Sequence, residues 1–252
     1  MLEMRKVRFW YQQEKPPLIY DCNLSVRPKE FLAIVGESGG GKTTLLHLCC
    51  GLLQAHMIQH PEYSYRYDGE VLFNGVPIKE PIPAFSYVPQ RFQIGLHPMK
   101  TAEDNVLMAV SKDGVSAEER AHASELMELC GIIDQAQINV RRLSGGQQQR
   151  VAICRALITE PAMLFMDEPF ANLDFTLKPD MGELLCSLRN RYNLSLLLVT
   201  HDIEGAVTLA DNVIGIKQTY GRPQYQIPWP TEGEDTGKLR RKIEEWIKKG
   251  DA

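Results

Sequence analysis

Several things are missing from this 252-residue sequence, and each absence excludes something. No stretch approaches the ~20 apolar residues that a membrane-spanning helix needs. The longest aliphatic run, 194–199, is interrupted by Ser195. The opening Met1-Leu2-Glu3-Met4-Arg5-Lys6 lacks the apolar core of a signal peptide, so the chain is expected to stay in the cytoplasm. None of the six cysteines (Cys22, Cys49, Cys50, Cys130, Cys154, Cys186) forms a C-x-x-C pair. Most sit in apolar or helical runs, which reads as small buried hydrophobes in a reducing compartment rather than zinc or redox chemistry. There is no excess of positive charge: the formal net charge is -4, which argues against a chain built to grip nucleic acid. No internal repeat is present.

What remains is an ordinary globular composition, 44% hydrophobic and 24% charged, at a length for one large domain or one domain with a subdomain. The most informative stretch is Gly36-Glu37-Ser38-Gly39-Gly40-Gly41-Lys42-Thr43-Thr44. It follows the apolar run Phe31-Leu32-Ala33-Ile34-Val35 and precedes Leu45-Leu46-His47-Leu48, so it fits G-x-x-x-x-G-K-[ST] in a strand–loop–helix setting. Glycines let several N–H groups turn inward around a phosphate, and the helix start adds its partial positive charge. Lys42 can reach the β- and γ-phosphates, and the Thr43 hydroxyl can ligate Mg²⁺.

Residues 2–9 and 23–26 read as strands of a short N-terminal β region, with Pro16-Pro17 between them. Tyr11 follows the first strand. Its ring can stack on an adenine or simply pack, and Trp10 competes for either role. A helix is expected over 42–52, ending near Gly51. Residues 54–68, with His56, His60, Tyr63, Tyr65 and Tyr67, are expected to form a surface loop or small hairpin, since the histidines fit no metal-ligand spacing. Glu70-Val71-Leu72-Phe73 then Asn74-Gly75 predicts a strand and tight turn, and Phe85-Ser86-Tyr87-Val88 another strand. Residues 91–142 become mostly helical. Thr101…Asp104 and Ser116…Glu119 are capping patterns, and the second helix carries Leu126, Leu129 and Cys130 on one side and should stop at Gly131. Further elements are a helix over 151–158, a buried strand over 162–166, a helix over 181–191 and a strand over 195–199. Strands alternating with helices indicate a parallel sheet. The Pro- and Gly-rich stretch 221–237 leads to a terminal helix whose Leu239, Ile243, Trp246 and Ile247 share one face.

Asp167 and Glu168 end the buried strand, where open α/β sheets place ligands. Asp167 can hold Mg²⁺ and Glu168 can polarise an attacking water as general base. Gln90, after a strand, can reach metal or water through its amide. His201 also ends a strand and can hold a γ-phosphate. Ser144-Gly145-Gly146-Gln147 is a second glycine-bearing helix start suited to a phosphate. The two helix ends either converge within one chain or the second serves a nucleotide on another copy.

In this order the motifs resemble those of the nucleotide-binding subunit of an ATP-binding cassette (ABC) transporter, over nearly the whole chain. Residues 36–43 look like Walker A, Gln90 like the Q-loop glutamine, and 143–147 like the signature LSGGQ. Residues 163–168 look like Walker B with its catalytic glutamate. Ala171-Asn172-Leu173-Asp174 is similar to the D-loop, His201 to the switch histidine, and Tyr11 to the A-loop aromatic. The sequence departs from the pattern in its longer 54–68 stretch, in Gly205 where importers often have Glu, and in Asn172. The closing Pro-rich segment and helix look like the nitrate/sulfonate/taurine import group.

The resemblance implies an α/β fold: a P-loop NTPase core (1–90 and 143–220) with a mainly parallel sheet and an N-terminal antiparallel β region. It also implies an inserted helical subdomain (91–142) and a C-terminal extension (221–252). It implies ATP and Mg²⁺ as cofactors, with Thr43, Gln90 and Asp167 toward the metal and Glu168, His201 and Gln90 in catalysis. Tyr11, Gly36, Glu37, Ser38, Gly39, Gly40, Gly41, Lys42, Thr43 and Thr44 would hold the nucleotide. Ser144, Gly145, Gly146 and Gln147 would hold one across a head-to-tail dimer, a homodimer or a paired homologous cassette. The implied partners are membrane permease subunits docking near Gln90 and the helical subdomain, with an extracytoplasmic solute-binding protein, on the cytoplasmic face of the membrane. The rival readings are the ATPase of an exporter or lipid-trafficking complex, a non-transport ABC ATPase, and a nucleotide-sensing regulator.

Overall fold

The computed structural model describes residues 1–110, 114–171, 173, 177–219, 222–225 and 229–248. The chain opens with strands β1 (Leu2–Trp10), β2 (Ile19–Val26) and β3 (Phe31–Gly36), then helices α1 (Lys42–Cys49) and α2 (Leu52–Gln59). Strands β4 (Arg66–Phe73), β5 (Val76–Pro77) and β6 (Phe85–Val88) precede helices α3 (Ala102–Leu107), α4 (Ala117–Leu129) and α5 (Gly145–Leu157). Then come β7 (Met163–Asp167), α6 (Lys178–Tyr192), β8 (Ser195–Thr200) and α7 (Ile203–Leu209). The chain closes with β9 (Asn212–Thr219), β10 (Arg222–Tyr225), β11 (Trp229–Pro230) and α8 (Thr236–Lys248).

These elements form two compact units, one of residues 1–82 with 195–252 and one of 83–194. In the first, β2-β1-β4-β5 make an antiparallel sheet. A second sheet sets β3 between β8 and β9, parallel to both, with β10 and β11 antiparallel on β9. Every residue of β3 and β8 is buried, which is why residues 31–35 and 196–199 read as continuous apolar runs rather than alternating ones. Burial contributes about 1.5–3 kcal/mol for each large apolar side chain along them. Asn74 and Gly75, both at positive φ (51° and 81°), make the tight turn between β4 and β5.

Helix α8 lays Leu239 and Ile243, both fully buried, onto α7 and β9. Its Trp246 ring meets Trp229 edge-on at 5.8 Å. A Cβ on Gly215 would stand 2.6 Å from the Trp246 ring, so this glycine makes room for the helix. The Lys217 ammonium lies 4.7 Å from the same ring and donates to the Trp246 carbonyl at 3.2 Å.

In the second unit β6 and β7 pair in parallel, from Phe85 opposite Met163 to Val88 opposite Met166. Helices α3 and α4 begin with complete capping boxes, Thr101 with Asp104 and Ser116 with Glu119, as their sequences predict. Helix α4 ends at Leu129 and Gly131 follows at φ 64°, the left-handed stop expected there. The buried face of α4 is Ala123, Leu126 and Met127, with Cys130 just beyond, while Leu129 is exposed.

The stretch after the first helix also differs from expectation. The helix stops at Cys49, Gly51 turns at φ 82°, and α2 occupies 52–59 where a loop was expected. Strand β4 starts at Arg66 because its first half pairs with β1, Trp10 opposite Arg66. Only residues 60–65 stay irregular. Five cysteines are buried and Cys186 is partly so. Burial pushes the Cys22 and Cys50 thiols up to about 12 and Cys49 and Cys154 well above their usual range, so these four are poor nucleophiles.

Candidate active site

In the first unit, β3 runs into the glycine-rich loop. Gly36 pairs with Ile216, and a Cβ there would stand 2.1 Å from the Ile216 carbonyl oxygen, so only glycine fits. Gly41 precedes α1 at φ 92°, a left-handed conformation costing other residues about 1–2 kcal/mol. Its Cα faces Ile19 and Leu18, which would touch an added Cβ at 3.2 and 3.3 Å. The first turn of α1 carries no acidic residue and no side-chain cap, so its field favours an anion. The buried Lys42 side chain folds back over the loop, donating to the Gly36 and Glu37 carbonyls at 2.9 Å each. Glu37, Ser38, Gly39 and Thr43 are exposed, whereas Gly40 and Thr44 are buried.

Two further expected residues join this loop. Val35 lies opposite Thr200, so His201, one residue beyond, leaves the sheet at the edge where the loop begins. Asp202 then caps α7, accepting from the Gly205 N–H at 3.0 Å; a Cβ on Gly205 would meet that carboxylate at 3.4 Å. The Tyr11 hydroxyl and the Thr44 hydroxyl are 3.0 Å apart. Tyr11, not Trp10, is therefore the aromatic tied to the phosphate loop. It lines a recess of about 300 Å³ with Gln12, Lys15, Pro16 and Leu18.

In the second unit the parallel register brings three expected residues to one edge. Val88 is opposite Met166, so Gln90 and the Asp167-Glu168 pair follow their strands at the same end. Asp167 is buried, Glu168 partly exposed and Gln90 exposed. Glu168 turns the chain at φ 50°, a conformation costing a non-glycine about 1–3 kcal/mol. The turn is held by the Ala171 N–H on the Glu168 carbonyl at 3.2 Å and by Gln149 donating to the Pro169 carbonyl at 2.6 Å. Helix α5 starts on the exposed Ser144. The Ser144 hydroxyl accepts from the Gln147 N–H at 3.3 Å, and the Gln147 amide oxygen accepts from the Ser144 N–H at 2.9 Å. The hydroxyl proton of Ser144 is still available to donate. Of the D-loop expectation, Asn172 and Asp174 lie outside the described residues.

Sequence reasoning missed Leu18 and Ile19 behind the loop, the tie from Tyr11 to Thr44 across 33 residues, and Gln149 beneath the Glu168 turn. None carries a motif of its own. Among the described residues, no group of three His, Cys, Asp or Glu side chains is arranged to hold a metal by itself, and no helix is long and apolar enough to cross a membrane.

The profile of the family described as ABC transporter matches residues 19–171. The nitrate import ATP-binding protein NrtD of Synechococcus elongatus is 38% identical over 199 residues, 78% of this chain and 68% of that protein. The taurine import ATP-binding protein TauB of Pseudomonas putida is 34% identical over 223 residues, 88% of this chain and 80% of that one. Among solved structures, the dimeric cassette MJ0796 in a post-hydrolysis state with ADP and Pi superposes with a TM-score of 0.72 at 26% identity, covering 93% of this chain and all (100%) of that one. The cbiO1 protein of Clostridium perfringens shares the fold, with a TM-score of 0.77 at 24% identity over 92% of this chain and 88% of that one. The architecture common to them is the mixed α/β P-loop NTPase fold that the motifs predict.

Proposed function

The chain belongs to the ABC transporter family as an ATP-binding ATPase cassette, and from that premise we propose that it powers a permease importing a small solute. The observation that carries the reading is the phosphate loop. A strand buried along its whole length ends at Gly36, where only glycine fits, and Lys42 lies over the loop at the start of a helix without acidic residues.

In this reading residues 36–44 hold the triphosphate of ATP and Tyr11 takes the base. Thr43, Gln90 and Asp167 provide oxygen donors suited to Mg²⁺, a hard cation that keeps several waters and phosphate oxygens in its shell. Bound Mg²⁺ would neutralise charge on the phosphates. Glu168 accepts a proton from the attacking water, Gln90 orients that water, and His201 holds the γ-phosphate side.

Residues 144–147 address the nucleotide of a second copy in a head-to-tail dimer. The dimer closes on ATP and reopens after hydrolysis. Its motion reaches the permease through a groove of about 240 Å³ in the second unit, lined by Tyr87, Val88, Phe92, Leu96, Ala152 and Arg155 beside Gln90. Ile94, 80% exposed, and Met99, 74% exposed, offer apolar surface near it. The protein would then sit on the cytoplasmic face of the membrane, in a system with its own solute-binding protein. Nitrate and taurine are named for the relatives, which favours import over export.

Glu168→Gln tests the catalytic assignment. It should leave ATP bound and cut turnover by about 10²- to 10⁴-fold, the usual worth of a general base. Undiminished hydrolysis would remove Glu168 from the mechanism.

A further inference from the structure

The ring of Tyr11 does not stand alone. It is 43% exposed, yet held from two sides. Phe9, fully buried, meets it edge-to-face at 4.9 Å from the core side. Tyr65, the residue just before β4, meets it edge-to-face at 5.5 Å. Tyr65 in turn stacks on Tyr63 at 5.3 Å, with their planes 10° apart. His56 lies 5.6 and 5.7 Å from those two rings, and His60 lies 4.5 Å from His56. The rings therefore continue from Tyr11 into the segment between α2 and β4, where the sequence is longer than its family pattern.

A half-exposed tyrosine has freedom to lose when a ligand stacks on it, and a ring already fixed has less to lose. Here the Tyr11 hydroxyl is fixed on Thr44, in the first turn of the helix that faces the phosphates. Tyr65 fixes the ring itself. The recess beside it is walled by Tyr11, Pro16 and Leu18, with Gln12 and Lys15 as polar groups, which suits a flat heterocycle with a polar edge.

We propose that Tyr65 is a positioning residue for the nucleotide base: it holds the Tyr11 ring in place, so that the base's share of binding depends on residues 60–65. This rests on the ATP site proposed above. Tyr65 acts through Tyr11, whose ring it meets.

The test uses the full chain and two probes, Mg²⁺-ATP and Mg²⁺ with inorganic tripolyphosphate, which has the phosphates but no base. Tyr65→Ala should weaken ATP roughly 2- to 10-fold, the worth of one aromatic pair, and leave tripolyphosphate unchanged. KM for ATP should rise with kcat unaltered. Tyr65→Phe, which keeps the ring, should behave as the parent. If Tyr65→Ala binds ATP normally while Tyr11→Ala does not, Tyr65 has no positioning role although the base site stands. If both probes weaken together, the change is in the fold and the proposal fails. If Tyr11→Ala leaves the preference for ATP over tripolyphosphate intact, the base is not read at Tyr11, and the reading beneath the proposal falls with it.

Discussion

Two helices of this protein start on glycine-rich sequence, and they start differently. Helix α1 follows Gly41, a residue with no side-chain oxygen to offer its first turn, locked at φ 92° against Leu18 and Ile19. Helix α5 follows Ser144, which closes a capping box with Gln147, and a Cβ on Gly145 would meet nothing within 4 Å. The first start has its backbone shape enforced by neighbours in its own unit. The second meets its local hydrogen-bonding needs by itself and keeps its glycine open to solvent. A helix end built in the first way is a site within the chain. One built in the second way is a surface that can be presented to something else, which is what a site completed by a second copy requires.

The comparison can be broken by substitution. Lys42→Ala removes the ammonium over the first start. ATP binding should weaken about 10- to 100-fold, as expected for hydrogen bonds to a charged group, and titration of nucleotide into the variant measures it. Gly41→Ala and Gly145→Ala make the sharpest pair. The first should cost about 1–2 kcal/mol of stability, because alanine at positive φ is strained. The second should stay within about 0.5 kcal/mol of the parent in denaturant unfolding, as an exposed substitution does. Equal costs would mean that the two starts are not different in kind. Ser144→Ala should cost the isolated chain about 1 kcal/mol, the worth of a lost helix cap. Nucleotide binding by the single chain should not change, whereas hydrolysis should fall if a second copy completes the site.

Much of this was legible because it is local. The run from Phe31 through Leu48 declares its strand, loop and helix in consecutive residues, and the boxes at Thr101, Ser116 and Ser144 each need only four residues. What was not legible depends on distant partners. Helix α2 has no clean apolar stripe: Leu53 is buried while Ile58 is exposed, so periodicity does not reveal it. The first half of β4 (Arg66, Tyr67, Asp68, Gly69) is polar and becomes a strand through pairing with β1. The site followed the same division. Lys42, Asp167 and Glu168 are announced by their motifs, whereas Leu18, Tyr65 and Gln149 gain their importance only from what folds against them.

In the proposed dimer the phosphate loop of one copy works with the Ser144 helix start of another. This pairing is tested most directly by mixing two defective chains, Lys42→Ala and Ser144→Arg, each inactive in ATP hydrolysis alone. In a mixed dimer one site joins the two defects, and the other joins an intact loop to an intact Ser144. Hydrolysis should reappear on mixing and be greatest at equal amounts of the two chains. A mixture as inactive as its components, with mixed dimers shown to form, would contradict it.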